Sequence, residues 1–296
     1  MTHKPVLLQE TLELLDPKSG DIVLDCTVGA GGHAMEMTKA VGKEGVLIGL
    51  DQDQTALDIA KGKLSETGSK VTLIRGNFRN LDEAIKTAGV GSVDRILFDL
   101  GMSSMQIEES GRGFSFLRDE PLLMTLSTDV VEETTTAKDV VNDWSEASLS
   151  DIIYGYGGER FAKRIAREIV NERKVRPIET SAQLAEVVER AVPGWYKRRK
   201  IHPATKTFQA IRIAVNDELG ALEEGLGKAW GVLKEGGRIA VVSFHELEDR
   251  IVKNKFKNYV KDFNAKLITK KPVVASREEV LSNPRSRSAK LRVIKK

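Results

Sequence analysis

Asp25-Cys26-Thr27-Val28-Gly29-Ala30-Gly31-Gly32-His33-Ala34 is the stretch that decides the fold of this 296-residue chain. An apolar run, Asp21-Ile22-Val23-Leu24, leads into it, and a segment of helical character, His33 to Ala40, leads out. Strand, glycine turn and helix N-terminus in that order open a nucleotide-type βαβ unit. The glycines permit a tight turn and let a ligand approach bare backbone at the helix start. Asp51 ends the next apolar run, Val46 to Leu50, at 20 residues beyond Gly31. An acid at that place accepts hydrogen bonds from the ribose hydroxyls of an adenine nucleoside.

Working outward, Val71 to Ile74 and Arg95 to Asp99 read as a third and fourth strand. Between the second and third, Thr55 to Ser65 carries Ala56, Leu57, Ala60 and Leu64 on one helical stripe. This alternation predicts right-handed βαβ units and a parallel sheet covered on both faces. Asp25, Asp51 and Asp99 each end an apolar run, which places them at the carboxyl edge where doubly wound sheets bind ligands. Beyond Asp99 the strand pattern stops. Helical stretches follow at Ser148 to Tyr156, Glu159 to Arg173 and Ser181 to Ala191, and strand character resumes at Gly237 to Phe244 after an amphipathic helix, Thr207 to Leu233. Leu291 to Ile294 is expected as an edge strand, and the Ser-, Arg- and Asn-rich tail Ser276 to Lys290 as a surface loop. The expected architecture is α/β: a Rossmann-like sheet domain made of residues 1–110 and 207–296, with a helical domain of residues 111–206 inserted into it.

Composition narrows the setting. With 41% apolar residues the chain buries a core without staples, and its single cysteine, Cys26, excludes a disulfide framework and a cysteine-based zinc cluster. No apolar run approaches the roughly 20 residues of a membrane span, and Met1 to Glu10 has no signal-peptide core, so a cytoplasmic protein is expected. The net charge is only +3, but it is segregated. Arg160 to Arg212 holds 14 basic and 5 acidic residues, whereas Asp99 to Glu159 holds 13 acidic and 3 basic ones. A face this positive suits a polyanion. The cluster Lys197-Arg198-Arg199-Lys200, flanked by Trp195 and Tyr196, is the candidate nucleic-acid contact, against the plainer reading of a solvated helix face.

The nucleoside itself has two readings. Gly29-x-Gly31-x-x-Ala34 formally satisfies the dinucleotide fingerprint, so a nicotinamide or flavin enzyme stands as a rival. S-Adenosylmethionine carries no pyrophosphate, and Asp25, which would repel one, suits the methyl donor better. Asp99 begins a polar loop with Ser103, Ser104 and Gln106, and Phe78 follows the third strand where it can stack near an adenine, although a lone Phe is more often core. His3, His202 and His245 lie far apart in sequence, and a packed or hydrogen-bonded role suits each better than a metal.

Longer blocks point one way. His3-x-Pro5-Val6-Leu7-Leu8-x-Glu10, Asp25 to Ala34, Gly49-x-Asp51-x-Asp53, Phe98-Asp99-Leu100-Gly101-x-Ser103-Ser104-x-Gln106 and Arg112-Gly113-Phe114-Ser115-Phe116 belong to one pattern. So do Tyr154-Gly155 with Arg160-Phe161-Ala162, His202 to Ile213, Ser243-Phe244-His245 with Leu247 to Lys253, and Asn283 to Ser288. Together they resemble the bacterial RsmH (MraW) family of small-subunit ribosomal RNA cytosine-N4 methyltransferases, over essentially the whole chain. The resemblance implies S-adenosyl-L-methionine as donor, held by Gly31, Gly32, His33, Asp51, Phe78, Asp99 and Gln106. It implies as product an N4-methylated cytidine in the decoding centre of 16S ribosomal RNA, with the small subunit or its precursor as partner. No metal or membrane enters this reading, and it leaves a homodimer open. Asp99 is also the candidate acceptor for the cytosine amine, whose lone pair frees as its hydrogens are taken. Two departures stand out. Leu123 and Thr125 replace an acid and an Arg of the family pattern, which puts substrate handling in question, and Glu246 replaces a Ser after Phe244-His245.

Overall fold

The computed structural model describes residues 4–103, 106–107 and 109–296. The chain divides into two compact units, Met1–Gly101 with Leu219–Lys296, and Met102–Glu218. The first contains α1 (Leu8–Leu15), β1 (Ile22–Asp25), α2 (Gly32–Val41), β2 (Val46–Asp51), α3 (Gln54–Leu64), β3 (Lys70–Arg75), α4 (Leu81–Thr87) and β4 (Val93–Asp99). The second contains α5 (Ala137–Asp143), α6 (Glu146–Gly155), α7 (Ala162–Val175), α8 (Ser181–Ala191), α9 (Gly194–Lys197) and α10 (Ala204–Asn216). The chain then returns through α11 (Glu218–Val232), β5 (Leu233–Ser243), α12 (Glu246–Phe263), β6 (Lys266–Leu267), β7 (Val273–Val274), α13 (Arg277–Ser282) and β8 (Lys290–Lys295).

The sheet runs β3-β2-β1-β4-β5-β8-β6, with β7 also paired to β8. Strands β1 to β5 are parallel and β8 is antiparallel. The α/β class and Rossmann-like sheet expected from the sequence are therefore present. Chain order reverses direction between β1 and β4, the topological switch point at which such sheets take ligands. Side chains alternate with period two. Leu24, Ile48, Ile96, Phe98, Ile239 and Val241 pack one way with α4, α11 and α12. Val23, Leu47, Leu97, Ala240 and Val242 pack the other way with α2, α3 and the turn before α1. The stripe Ala56, Leu57, Ala60 and Leu64 is buried as its spacing predicts. The helical unit has its own core, built from Leu122, Val140, Ile153, Ile165, Leu184 and Phe208 among others.

Three expectations need correction. The helix expected from Thr207 to Leu233 is two helices, broken at Asp217 in the left-handed conformation (φ 44°). There Arg212 clasps Glu218 through two hydrogen bonds of 2.7 and 2.8 Å, and Asn216 turns its side chain to Met124 O and Leu126 N. Leu291 to Ile294 lies inside β8, which is no edge strand: it pairs with β5 on one side and with β6 and β7 on the other. The tail Ser276 to Lys290 is not an open loop either. It forms α13 and a 3₁₀ turn, Pro284–Ser288, buries Ser286 completely, and holds the N-terminal arm. Asn283 Nδ2 donates to Lys4 O at 3.1 Å, and Leu7 N donates to Glu279 Oε1 at 2.8 Å.

Candidate active site

The site is assembled at the carboxyl edge of β1, β2 and β4, each of which ends in an aspartate: Asp25, Asp51 and Asp99. Past β1 the chain turns through Gly29 (φ 49°) and Gly31 (φ 80°), left-handed positions that a Cβ would strain, and α2 starts directly after Gly31 without a side-chain cap. Gly32 is required for another reason. A Cβ there would meet Pro5 Cγ at 2.5 Å, so the N-terminal arm lies flat against the helix start.

Asp51 accepts from Gly29 N at 2.8 Å through Oδ2 and from Asp53 N at 2.9 Å through Oδ1. Each carboxylate oxygen retains lone-pair capacity for a further donor. Burial raises its pKa against those backbone N–H groups. Asp53 caps α3 by accepting from Thr55 N, which accounts for its place in the Gly49-x-Asp51-x-Asp53 block. Phe78 stands at the start of a 3₁₀ turn, edge-on to Phe98 at 5.5 Å between centroids, and a Cβ on Gly225 would meet its ring at 2.9 Å. It is half-buried and also a member of the core.

Asp25 is buried and accepts from Thr27 N at 3.1 Å. Burial pushes its pKa up to about 7 against the pull of His33 and Thr27, and the charges of Asp99 and Asp51 push in the same direction as burial. Thr27, which sequence reasoning passed over, accepts the Asp99 backbone N–H on its Oγ1 at 2.7 Å and so ties β4 to the first turn. Its signal was a hydroxyl two residues after a strand-ending acid. Buried His33 lies 3.2 Å from Val6 O through Nε2 and 3.3 Å from Asp99 Oδ2 through Nδ1. Both neighbours are acceptors, an arrangement that favours a proton on each ring nitrogen. Burial works against the charged ring, but the hydrogen bond and charge of Asp99 and the charge of Asp25 outweigh it and hold the pKa above the usual histidine value. Asp99 Oδ1, by contrast, is a buried acceptor with no partner among the described residues.

Gln106 lies in the helical unit, with the other site candidates, apart from the RNA cluster, in the sheet unit. Its Oε1 accepts from Ser103 N at 2.9 Å and its own N–H donates to Ser103 Oγ at 3.1 Å. Ser104 and His3 fall outside the described residues. His202 stacks on Phe116 and contacts Glu189, while His245 is the N-cap of α12.

Lys197 ends α9, Arg198, Arg199 and Lys200 follow it, and all four are exposed. Among the described residues none of the four makes an ion pair. Beside them is an array that the sequence showed only in part. Arg160 Cζ lies 4.5 Å from the Trp195 ring centroid and 4.8 Å from that of Phe161, and Arg199 lies 5.4 Å from that of Tyr196. Fully buried Glu159 fixes the array by accepting from Tyr196 Oη at 2.5 Å and from Phe161 N at 2.9 Å. Trp195 remains 48% exposed.

The profile of the MraW methylase family matches residues 1–296. The chain belongs to that family. A protein named Ribosomal RNA small subunit methyltransferase H from Symbiobacterium thermophilum is 48% identical over 309 residues, covering 99% of this chain and 96% of that one. Its namesake from Clostridioides difficile is 44% identical, covering 99% and 98%. The solved structure of PH0851 aligns over 100% of this chain and 47% of that one at 14% identity with a TM-score of 0.50, a likeness of fold.

This MraW methylase is thus a methyltransferase, and S-adenosylmethionine is its methyl donor. The residues at the sheet edge fit that donor. Burial raises the proton affinity of Asp25 and Asp51, and at Asp25 the charges of Asp99 and Asp51 add to it, which a cationic ligand relieves and a pyrophosphate would worsen. Asp99 Oδ1, without a partner among the described residues, is an acceptor that an N–H donor would satisfy. The nicotinamide rival fails on the same electrostatics. Among the described residues no helix is long and apolar enough to cross a membrane. The departures from the family pattern also find places. Thr125 is buried, donates its hydroxyl to Ser127 O, and offers its carbonyl to Arg112 Nη1 at 2.9 Å, while Leu123 is half-buried. Glu246 starts α12, where an acid favours the helix dipole, and pairs with Arg250 at 2.6 Å.

Proposed function

We propose that this protein transfers the methyl group of S-adenosylmethionine to the exocyclic N4 amine of a decoding-centre cytidine in 16S ribosomal RNA, within the small subunit or its precursor. The names of its relatives, at up to 48% identity over nearly their full lengths, support a small-subunit ribosomal RNA substrate. The observation that carries the chemistry is the Asp99 carboxylate. One oxygen is anchored by His33, and the other is buried and has no partner among the described residues.

Bound S-adenosylmethionine supplies a methyl group already activated on a sulfonium, so the protein contributes chiefly orientation. Asp51 accepts the ribose hydroxyls, the Gly29 to Gly32 turn admits the ligand to bare backbone, and Phe78 flanks the adenine. Gln106 is a further donor contact that the family pattern implies. Asp99 Oδ1 accepts a hydrogen of the cytosine amine as its nitrogen pyramidalises, with His33 holding the carboxylate in place. Lys197 to Lys200 and the Arg160–Trp195 array hold RNA phosphates and an unpaired base. In this reading residues 111–206 serve substrate recognition. The test is nucleoside mass spectrometry of ribosomal RNA from cells with and without the protein, paired with methyl incorporation in vitro. Loss of N4-methylcytidine from 16S RNA is the expected result. Retention of that nucleoside would overturn the reading.

A further inference from the structure

Between Lys253 and Lys271 the chain has seven lysines and a single acid, Asp262. Lys253, Lys257 and Lys261 recur every fourth residue along α12, a spacing that puts like charges on one helix face and weakens the helix unless an anion comes from outside. Among the described residues none of the seven lysines makes an ion pair or a hydrogen bond. Lys253 and Lys257 rim a groove with Lys270, over a floor of Phe256 and Leu267. Arg292 closes one end, held there by Asp249 through hydrogen bonds of 2.6 and 3.1 Å. Asp249 is also in contact with Lys290, so its charge is already committed to two cations. The wall adds one more donor. Thr269 is 7% exposed and its Oγ1 accepts from Val293 N at 2.9 Å, which leaves its O–H to point elsewhere, with no acceptor for it among the described residues. The groove thus offers three ammonium groups and a hydroxyl proton, and among the described residues no carboxylate lines it.

We infer that this groove on the sheet unit is a second RNA-binding surface, which takes phosphodiester groups of the substrate's backbone. An isolated phosphate would need only the groove. The exposed cations continue past it, to Lys261 at the end of α12 and to Lys266 and Lys271 beyond, as a track for a chain of phosphates requires. The inference rests on the reading of RNA as substrate, and its test separates the two.

Full-length protein carrying Lys253→Gln, Lys257→Gln and Lys270→Gln is titrated with small-subunit ribosomal RNA and with a polyuridine oligonucleotide over a series of salt concentrations. Each phosphate that is no longer neutralised removes roughly 0.7 from the slope of log affinity against log salt for single strands. The slope should therefore flatten by about 2 on both RNAs, while S-adenosylmethionine affinity and circular dichroism stay as in the wild type. The triple Lys→Arg protein should keep the wild-type slope. An unchanged slope on both RNAs in the Gln protein overturns the inference. Failure of the functional reading shows elsewhere, as wild-type protein that incorporates no methyl group into small-subunit RNA, and the polyuridine slope still decides the groove in that case.

Discussion

The backbone N–H of Leu7 donates a 2.8 Å hydrogen bond to Glu279 Oε1, joining residues 272 positions apart. Leu7 is fully buried and left-handed (φ 53°), a conformation that costs an ordinary residue on the order of 1–2 kcal/mol. The carbonyl one residue earlier, Val6 O, meets His33 Nε2. The arm is thus bent where it presents an acceptor to the imidazole that anchors Asp99. Glu279→Ala should loosen residues 4–7 in hydrogen exchange and raise the KM for S-adenosylmethionine several-fold, with kcat nearly kept. Glu279→Gln, which retains the acceptor, should restore both.

At Asp51 the expectation is direct. Asp51→Ala removes the acceptor for ribose hydroxyls and should weaken donor binding by roughly 1.5–3 kcal/mol for each charge-assisted hydrogen bond removed. Calorimetry on the folded variant measures it, and unchanged affinity removes Asp51 from the donor site.

Asp99→Asn preserves size but weakens the acceptor and adds a donor. Single-turnover methylation should slow by about 10²-fold or more, with RNA affinity nearly intact. If Asp99 serves only the donor, the defect disappears at saturating S-adenosylmethionine. Rate measured against donor concentration separates the two roles.

Much of this site was legible before any coordinates. The three aspartates could be placed because each ends a β-branched run, and strand ends in a parallel sheet share an edge. His33 was recognisable within its glycine motif, but its partner Val6 O was not, since a backbone carbonyl leaves no mark in residue identity. The break at Asp217 was hidden because the apolar periodicity of residues 207–233 continues on either side of it, and one left-handed residue does not disturb the count. β8 read as an edge strand because chain order does not disclose spatial order. The tail around Asn283 read as a loop because its polar residues find long-range partners, such as Lys4 O, that no local pattern announces.

Protonation supplies a test without RNA. Burial holds Asp25 protonated up to about 7, so the folded chain keeps a proton that the unfolded chain releases in the usual carboxylate range. Stability from this group is therefore full in acid and is lost as pH rises through about 7, a change on the order of a few kcal/mol. His33, whose pKa is also raised, adds stability that is full below the usual histidine value and is lost as pH rises from there through its own raised one. Urea denaturation of the donor-free protein should show this decline, and Asp25→Asn should flatten it between pH 4 and 7. A variant with the same pH profile as the wild type would contradict the assignment.

For the helical unit, replacing Lys197, Arg198, Arg199 and Lys200 with Gln should lower RNA affinity and reduce its salt dependence by roughly 0.7–0.9 for each phosphate the cluster neutralises. Donor affinity should not change. An unaltered slope would make the cluster a solvated face.

The interior position of β8 bears on how the chain is made. Strands β1 to β4 emerge from synthesis first and can pair at once, but β5 has an open flank until residues 290–295 exist. During that interval it presents Ile239 to Ser243, almost wholly apolar, as an unpaired template for other chains. Nascent or truncated protein lacking β8 is therefore the form exposed to aggregation and to proteases, whereas β8, once seated, shields that flank in the same step that fixes the tail against the N-terminal arm.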